Sequence, residues 1–337
     1  AVFGAYFNRK FVSMLVACAT IVVGLTVLIW SADLFVAGAA GIARTLGLSP
    51  IVIGLTIVSL GTSAPELLVS INAAITGAGA LAIGNAIGSN IANIGMVLGI
   101  TLLVAPLMAH QGHMKTQLPI LLLVTIAAGL LVIDQSLTRL EGCLMLGALA
   151  LILTMTVRSQ SHDQELVDEA AEEPLPELGP ARAWATFVVG LALLVISARM
   201  LVWGAVFVAG ELGVSELVIG LTVVAIGTSL PELAATVASA LRGHTEIALG
   251  NVIGSNLFNL LAVMPIPGLV ATQALEPSVV FRDYPAMTFL TLFLAAAVYL
   301  SSRRRASRDG YSYVGRRVGV LLVSFYALYY YWLYLTL

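Results

Sequence analysis

The chain has 337 residues, of which 59% are hydrophobic and only 10% charged, with a formal net charge of −2. A soluble protein carries about a quarter charged residues, so a large soluble core is excluded and a polytopic membrane protein is indicated. No basic stripe with interleaved aromatics speaks for nucleic acid.

A membrane-crossing helix needs roughly 20 mostly apolar residues. Ten segments qualify, near 11–43, 50–76, 80–109, 116–133, 138–157, 183–210, 215–242, 246–271, 285–302 and 315–336. The first is read as a spanning helix, since it is too long for a signal peptide and lacks a small-residue cleavage site. The chain starts at Ala1 without an initiator Met, as expected of a trimmed start. The first and sixth segments exceed a perpendicular crossing and are expected to tilt. Cys18 and Cys143 lie alone in apolar segments, fit neither a metal site nor a redox pair, and are read as packing residues. His110, His113, His162 and His244 fall in loops and are read as solvated. Asp33 and Arg199 occupy matched positions, and their sequence context suits a mutual pair as well as snorkelling to opposite surfaces.

Basic residues set the orientation. With the N-terminus outside, eleven fall in cytoplasmic loops: Arg44, Lys115, Arg158, Arg182, Arg242, Arg303, Arg304, Arg305, Arg308, Arg316 and Arg317. Only Arg9, Lys10, Arg139 and Arg282 fall outside, and the positive-inside rule then puts both termini on the outer side. The tail Phe325 to Tyr334 supplies rings for an outer aromatic belt.

Within this apolar background the run GTSAPELL, Gly61 to Leu68, places a carboxylate beside a proline and two hydroxyls. An ionisable residue inside the bilayer costs several kcal/mol, so the default reading of Glu66 is functional. Pro65 lacks an N–H and frees backbone oxygens near Gly61 and Thr62. Carbonyls, hydroxyls and a carboxylate on one face are hard oxygen ligands, suited to Ca²⁺, Na⁺ or Mg²⁺. A shift of 166 carries this run onto GTSLPELA, Gly227 to Ala234, and Glu66 onto Glu232. The same shift carries GNAIGSNIAN, Gly84 to Asn93, onto GNVIGSNLFN, Gly250 to Asn259. Ser89 and Asn93, like Ser255 and Asn259, stand one helical turn apart and share a face.

The chain is therefore read as all-α, with ten transmembrane helices in two five-helix repeats. These are 1–157, with its motif core at 54–100, and 183–337, with its core at 220–266. An odd number of spans per repeat makes the second enter the membrane inverted, which places a substrate site at the midplane between the repeats. Between them, 158–182 is read as a solvated cytoplasmic linker, because Asp163 to Glu177 holds seven acids and no base.

The paired GTSAPE and GTSLPE runs, each followed by GNxIGSNxxN, resemble the α-repeats of the calcium/cation antiporter superfamily in its sodium/calcium exchanger branch. More narrowly, the chain is similar to the bacterial inner-membrane members that lack a large cytoplasmic regulatory region. Calcium/proton exchangers usually carry GN-x-x-E at the motif and look less similar. The resemblance implies a Ca²⁺ site made by Glu66, Glu232 and the carbonyls of Thr62 and Thr228. It implies flanking Na⁺ sites at Ser63, Ser229, Ser89, Ser255, Asn93 and backbone oxygens near Ser59 and Ala225. Asn259 replaces the Asp of potassium-dependent relatives, which argues against K⁺ co-transport. The long first and sixth helices would be the sliding element.

On the residues' own chemistry, two buried carboxylates repel, and one Ca²⁺ or two Na⁺ offset both charges. Shared ligands make occupancy exclusive, which exchange requires. The expected protein is an Na⁺/Ca²⁺ antiporter in a bacterial inner membrane, working as a monomer in the lipid bilayer, with Ca²⁺ and Na⁺ as substrates and no cofactor. The alternative is a Ca²⁺/H⁺ or other cation/proton antiporter. A channel would present an oligomeric pore or a ring of identical residues. An enzyme lacks support, since no zinc motif or nucleophile–base pair lies in the spans.

Overall fold

A computed structural model describes residues 2–160, 178–213, 225–305 and 311–336. The acidic run Asp163 to Glu177 and His162 lie outside the described residues, as does Arg308. Eight helices among them are long and apolar enough to cross a membrane: Ser13–Leu46, Gly79–Val104, Met114–Leu131, Arg139–Arg158, Pro180–Glu211, Thr245–Val270, Val279–Ser301 and Arg316–Thr336. A ninth span is the pair Pro50–Thr62 and Ala64–Ile75, bent by 47° at its break. Of the remaining expected span, Ala225–Thr228 and Leu230–Leu241 are described, and 214–224 are not.

The repeat seen in the sequence recurs in the backbone. Gly47 and Gly213 both turn the chain with positive φ, 61° and 80°, and Gly77 and Gly243 do so at 76° and 85°. Each pair is one repeat offset apart, at the end of a matched helix, where only glycine enters the left-handed region cheaply.

The two long helices, Val2–Leu46 and Pro180–Glu211, lie along one another. Glycines let their backbones meet: Gly204 faces Ile21, Gly24 faces Leu201, Gly190 faces Phe35, and Gly38 faces Phe187. As one number of each pair rises the other falls, so the helices run antiparallel. The offset of 166 turns Gly24–Leu201 into Gly190–Phe35, and Gly38–Phe187 into Gly204–Ile21. The same contacts are made twice with roles exchanged, as a two-fold axis requires. Matched helices that run antiparallel belong to inverted repeats.

Contacts between chain ends and loops sort into two sets. In one, β1 (Leu107–His110) pairs antiparallel with β4 (Tyr311–Val314). The same set holds the His110 N–H donating to Glu246 Oε1 (2.9 Å). In the other set, β2 (Ser136–Leu137) pairs with β3 (Gln273–Ala274), Arg139 donates to the Val270 carbonyl (2.7 Å), and Arg282 donates to Thr336 (3.0 Å). Every contact joins segments separated by an even number of the expected spans. The first set, close to Arg44, Lys115, Arg242 and Arg316, marks a basic end of the bundle.

The most apolar stretch of Thr245–Val270 is wholly buried, whereas that of Ser13–Leu46 is mostly exposed, as suits a helix against lipid. One apolar cluster packs Ile83, Ile87, Ile91 and Leu98 against Leu249, Ile253 and Leu257. A second joins Phe35, Val36 and Ile42 to Ile53, Val58, Phe187 and Leu194, seating the long helices on the 50–62 helix.

Several expectations are corrected. Cys18 and Cys143 do not pack inside; both are exposed on the outer faces of their helices, where a thiol is an adequate apolar surface. His244 is not solvated but 4% exposed, at the N-terminus of the 245–270 helix. Burial and the Arg242 guanidinium push its imidazole below the ordinary histidine range. The question left open for Asp33 is answered by a third partner, since it pairs with Arg242. Of the aromatic tail, Tyr331 and Tyr334 face outwards, but Tyr326 packs inwards on Tyr330 and against Gly95.

Candidate ion-binding site

Both motif helices break at the same place. Ser63 (φ −84°, ψ 5°) separates Pro50–Thr62 from Ala64–Ile75, and Ser229 (φ −91°, ψ 7°) separates Ala225–Thr228 from Leu230–Leu241. In each case proline follows in the first turn of the new helix, where its missing N–H is no loss. Glu66 and Glu232 therefore stand in the first turns of new helices. A helix N-terminus is where backbone dipoles favour a carboxylate. Both side chains are buried, 1% and 2% exposed.

The residues around them come from both repeats. Ser63 Oγ donates to Glu232 Oε1 (3.3 Å). Thr62 Oγ1 donates to Asn251 Oδ1 (3.1 Å) and lies 3.5 Å from Ser255 Oγ. Asn93 and Asn259 each open a π-helical turn, Asn93–Leu98 and Asn259–Val263. Such single wide turns inside α-helices recur at functional sites. The helix of Glu232 packs against the turn of Asn93, and the helix of Glu66 against the turn of Asn259.

What the cluster leaves unpaired is informative. Glu66 Oε2, Glu232 Oε2, Ser229 Oγ and both amide atoms of Asn93 and of Asn259 are buried without a hydrogen-bond partner. Buried polar groups are nearly always satisfied, so five unpaired oxygens on matched motif residues call for an explanation. Carboxylate, amide and hydroxyl oxygens of this kind are a donor set for a hard cation.

Of the remaining expected residues, Ser59, Ser89 and Ser255 are buried, and Ser59 Oγ donates to the Leu55 carbonyl (2.7 Å) of its own helix. Thr228 is half-buried at the end of Ala225–Thr228, the helix that Ala225 opens. The structure adds residues that sequence reasoning passed over. Asn251 Nδ2 donates to Thr236 Oγ1 (2.9 Å), whose hydroxyl donates to the Glu232 carbonyl (2.6 Å). Asn90 Nδ2 donates to the carbonyl of its own repeat mate, Asn256 (3.2 Å), which places this pair at the two-fold axis. The signal was present, because Asn85, Asn90, Asn251 and Asn256 belong to the doubled motif.

These features define a helical membrane protein with a buried oxygen-rich centre shared between inverted repeats. Residues 16–158 and 182–335 match the sodium/calcium exchanger protein family, and the chain belongs to that family. It is 46% identical over 299 residues to the putative antiporter CaxA of Alkalimonas amylolytica, covering 88% of this chain and 94% of that protein. It is 37% identical over 316 residues to the inner membrane protein YrbG of Escherichia coli (strain K12), covering 92% and 94%. The sodium/calcium exchanger MaX1 of Methanosarcina acetivorans is 32% identical over 343 residues, covering 91% and 95%. Among solved structures, the sodium-calcium exchanger NCX_Mj soaked with zero Na⁺ and Ca²⁺ superposes with a TM-score of 0.79 at 30% identity, covering 93% of this chain and 97% of that one.

Proposed function

We propose that the protein is a secondary antiporter that exchanges Na⁺ for Ca²⁺ by alternating access at the buried centre. The observation that carries the reading is the set of unpaired buried oxygens on Glu66, Glu232, Asn93, Asn259 and Ser229, drawn from both repeats. Glu66 and Glu232 with the carbonyls of Thr62 and Thr228 form the Ca²⁺ site. Ser63, Ser229, Ser89, Ser255, Asn93, Asn259 and the backbone near Ser59 and Ala225 serve Na⁺. Because the glutamates are shared, one ion species leaves as the other enters. The antiparallel long helices are the element that slides to change access, and glycine contacts give them a smooth seam. A monomer holds the whole site.

A proton-coupled antiporter would need the two carboxylates alone. The neutral oxygens, present in duplicate, favour Na⁺ as the counter-ion. Na⁺ and Ca²⁺ both accept mixed oxygen shells, so one pocket houses either.

The site is tested by titrating Ca²⁺ into the purified protein, with Na⁺ as competitor. Glu66→Gln and Glu232→Gln should each abolish Ca²⁺ binding without unfolding the protein, and tight Ca²⁺ binding by either variant would refute the assignment. The basic end is proposed to be cytoplasmic, with both termini outside, in a bacterial inner membrane. A cysteine at Glu276, in a background without Cys18 and Cys143, should react with an impermeant thiol reagent in intact cells. One at Gly112 should not, and the reverse pattern would invert the orientation.

A further inference from the structure

The hydrogen-bonded chain through Asn251 ties the two repeats together beside the glutamates. Asn251 is fully buried. Its Oδ1 accepts from Thr62 of the first repeat (3.1 Å), and its Nδ2 donates to Thr236 of the second (2.9 Å). Thr236 passes the connection to the Glu232 carbonyl (2.6 Å). One amide thus fixes both the helix break that presents Thr62 and the helix that presents Glu232. It lies in a seam between the 50–62 helix and the 245–258 segment, both of which start at the basic end. Along that seam Gly250 meets Ile51 and Gly54, and Gly254 meets Leu55 and Ser59. The repeat mate, Asn85, is held differently: it is half-buried and its Nδ2 has no partner. Its potential partners by the same offset are Thr228 and Ser70, and Ser70 is bonded to the Val263 carbonyl (2.7 Å).

We infer that Asn251 is a positioning residue, a latch that holds the basic-end seam shut. The inference rests on the alternating-access reading of this site. Its physical logic is that a buried amide satisfied on both sides holds one arrangement strongly: the Thr236 bond orients the amide within the second repeat, and the Thr62 bond is the one lost when the seam parts.

The test is sided thiol labelling, which needs no transport. Leu55, 2% exposed and packed on Gly254, is replaced by cysteine in full-length protein without Cys18 and Cys143. With Asn251 intact, Leu55→Cys should label slowly from both sides. Adding Asn251→Ala should raise labelling from the basic end by about tenfold or more, with no change from the other side. Thr236→Val should act in the same direction, and Thr236→Ser, which keeps the hydroxyl, should restore protection. Asn85→Ala, the same deletion at the mate, should leave Leu55→Cys protected. An unchanged rate in a folded Asn251→Ala or Thr236→Val protein would overturn the latch, as would an equal rise from both sides. If Asn251→Ala does not fold, Thr236→Val and its serine rescue carry the test. Loss of Na⁺-driven transport with the labelling pattern intact would refute the exchange reading and leave the latch standing.

Discussion

In the first repeat Thr62 is fully buried and bonded to Asn251, whereas its mate Thr228 is half-buried and the Nδ2 of Asn85 has no partner. Ser63 reaches across to Glu232, while Ser229, its mate, has a hydroxyl without a partner. Gly250 is packed against the 50–54 backbone. On the alternating-access reading proposed above, matched motif residues with unequal contact are one frame of a two-state device. The difference lies in conformation, and it should vanish wherever a measurement averages over the transport cycle.

The largest effects should fall equally on the two glutamates. Glu66→Gln and Glu232→Gln should each reduce Ca²⁺ uptake into proteoliposomes by about a hundredfold or more, since a buried charge partner is lost. A large inequality between them would mean that the repeats differ in function as well as in contact.

Glycine substitutions sharpen the comparison. A Cβ at Gly250 meets the Ile51 carbonyl at 2.6 Å, so Gly250→Ala should destabilise the described state by about 1–3 kcal/mol in thermal or denaturant unfolding. Gly84→Ala, where no described residue lies within 4 Å of a Cβ, should cost less.

Smaller still is the serine pair. Ser63→Ala removes a hydrogen bond to a carboxylate and should cost about 1 kcal/mol, read as a lower melting temperature. Ser229→Ala removes a hydroxyl with no partner and should be neutral or slightly stabilising. For K⁺ the expected effect is nil. Asn259 adds no third carboxylate to Glu66 and Glu232, so Ca²⁺ uptake should run at the same rate in K⁺-containing and K⁺-free media. A K⁺ requirement would place a further site among residues not named here.

Much of the fold was legible because membrane helices announce themselves by length and apolarity, and because the offset of 166 is unbroken through both motifs. The inversion followed from five spans per repeat, and the Gly24–Leu201 and Gly190–Phe35 contacts bear it out. Glu66 and Glu232 stood out because charge is rare at that depth. Asn251 and Thr236 did not, because an amide or hydroxyl in a helix reads equally as packing, ligand or bridge until its partners are known. His244 and the cysteines were misread for a related reason. Sequence gives depth along a helix, but only the neighbours decide which face turns inwards.

The central claim, that sodium drives calcium through this centre, is tested most directly by ion gradients across sealed vesicles. Proteoliposomes loaded with Na⁺ and diluted into Na⁺-free buffer of the same pH should take up Ca²⁺, and Glu66→Gln should stop it. Uptake driven by a pH gradient alone, and unaffected by Na⁺, would contradict the claim and assign the glutamates to proton exchange.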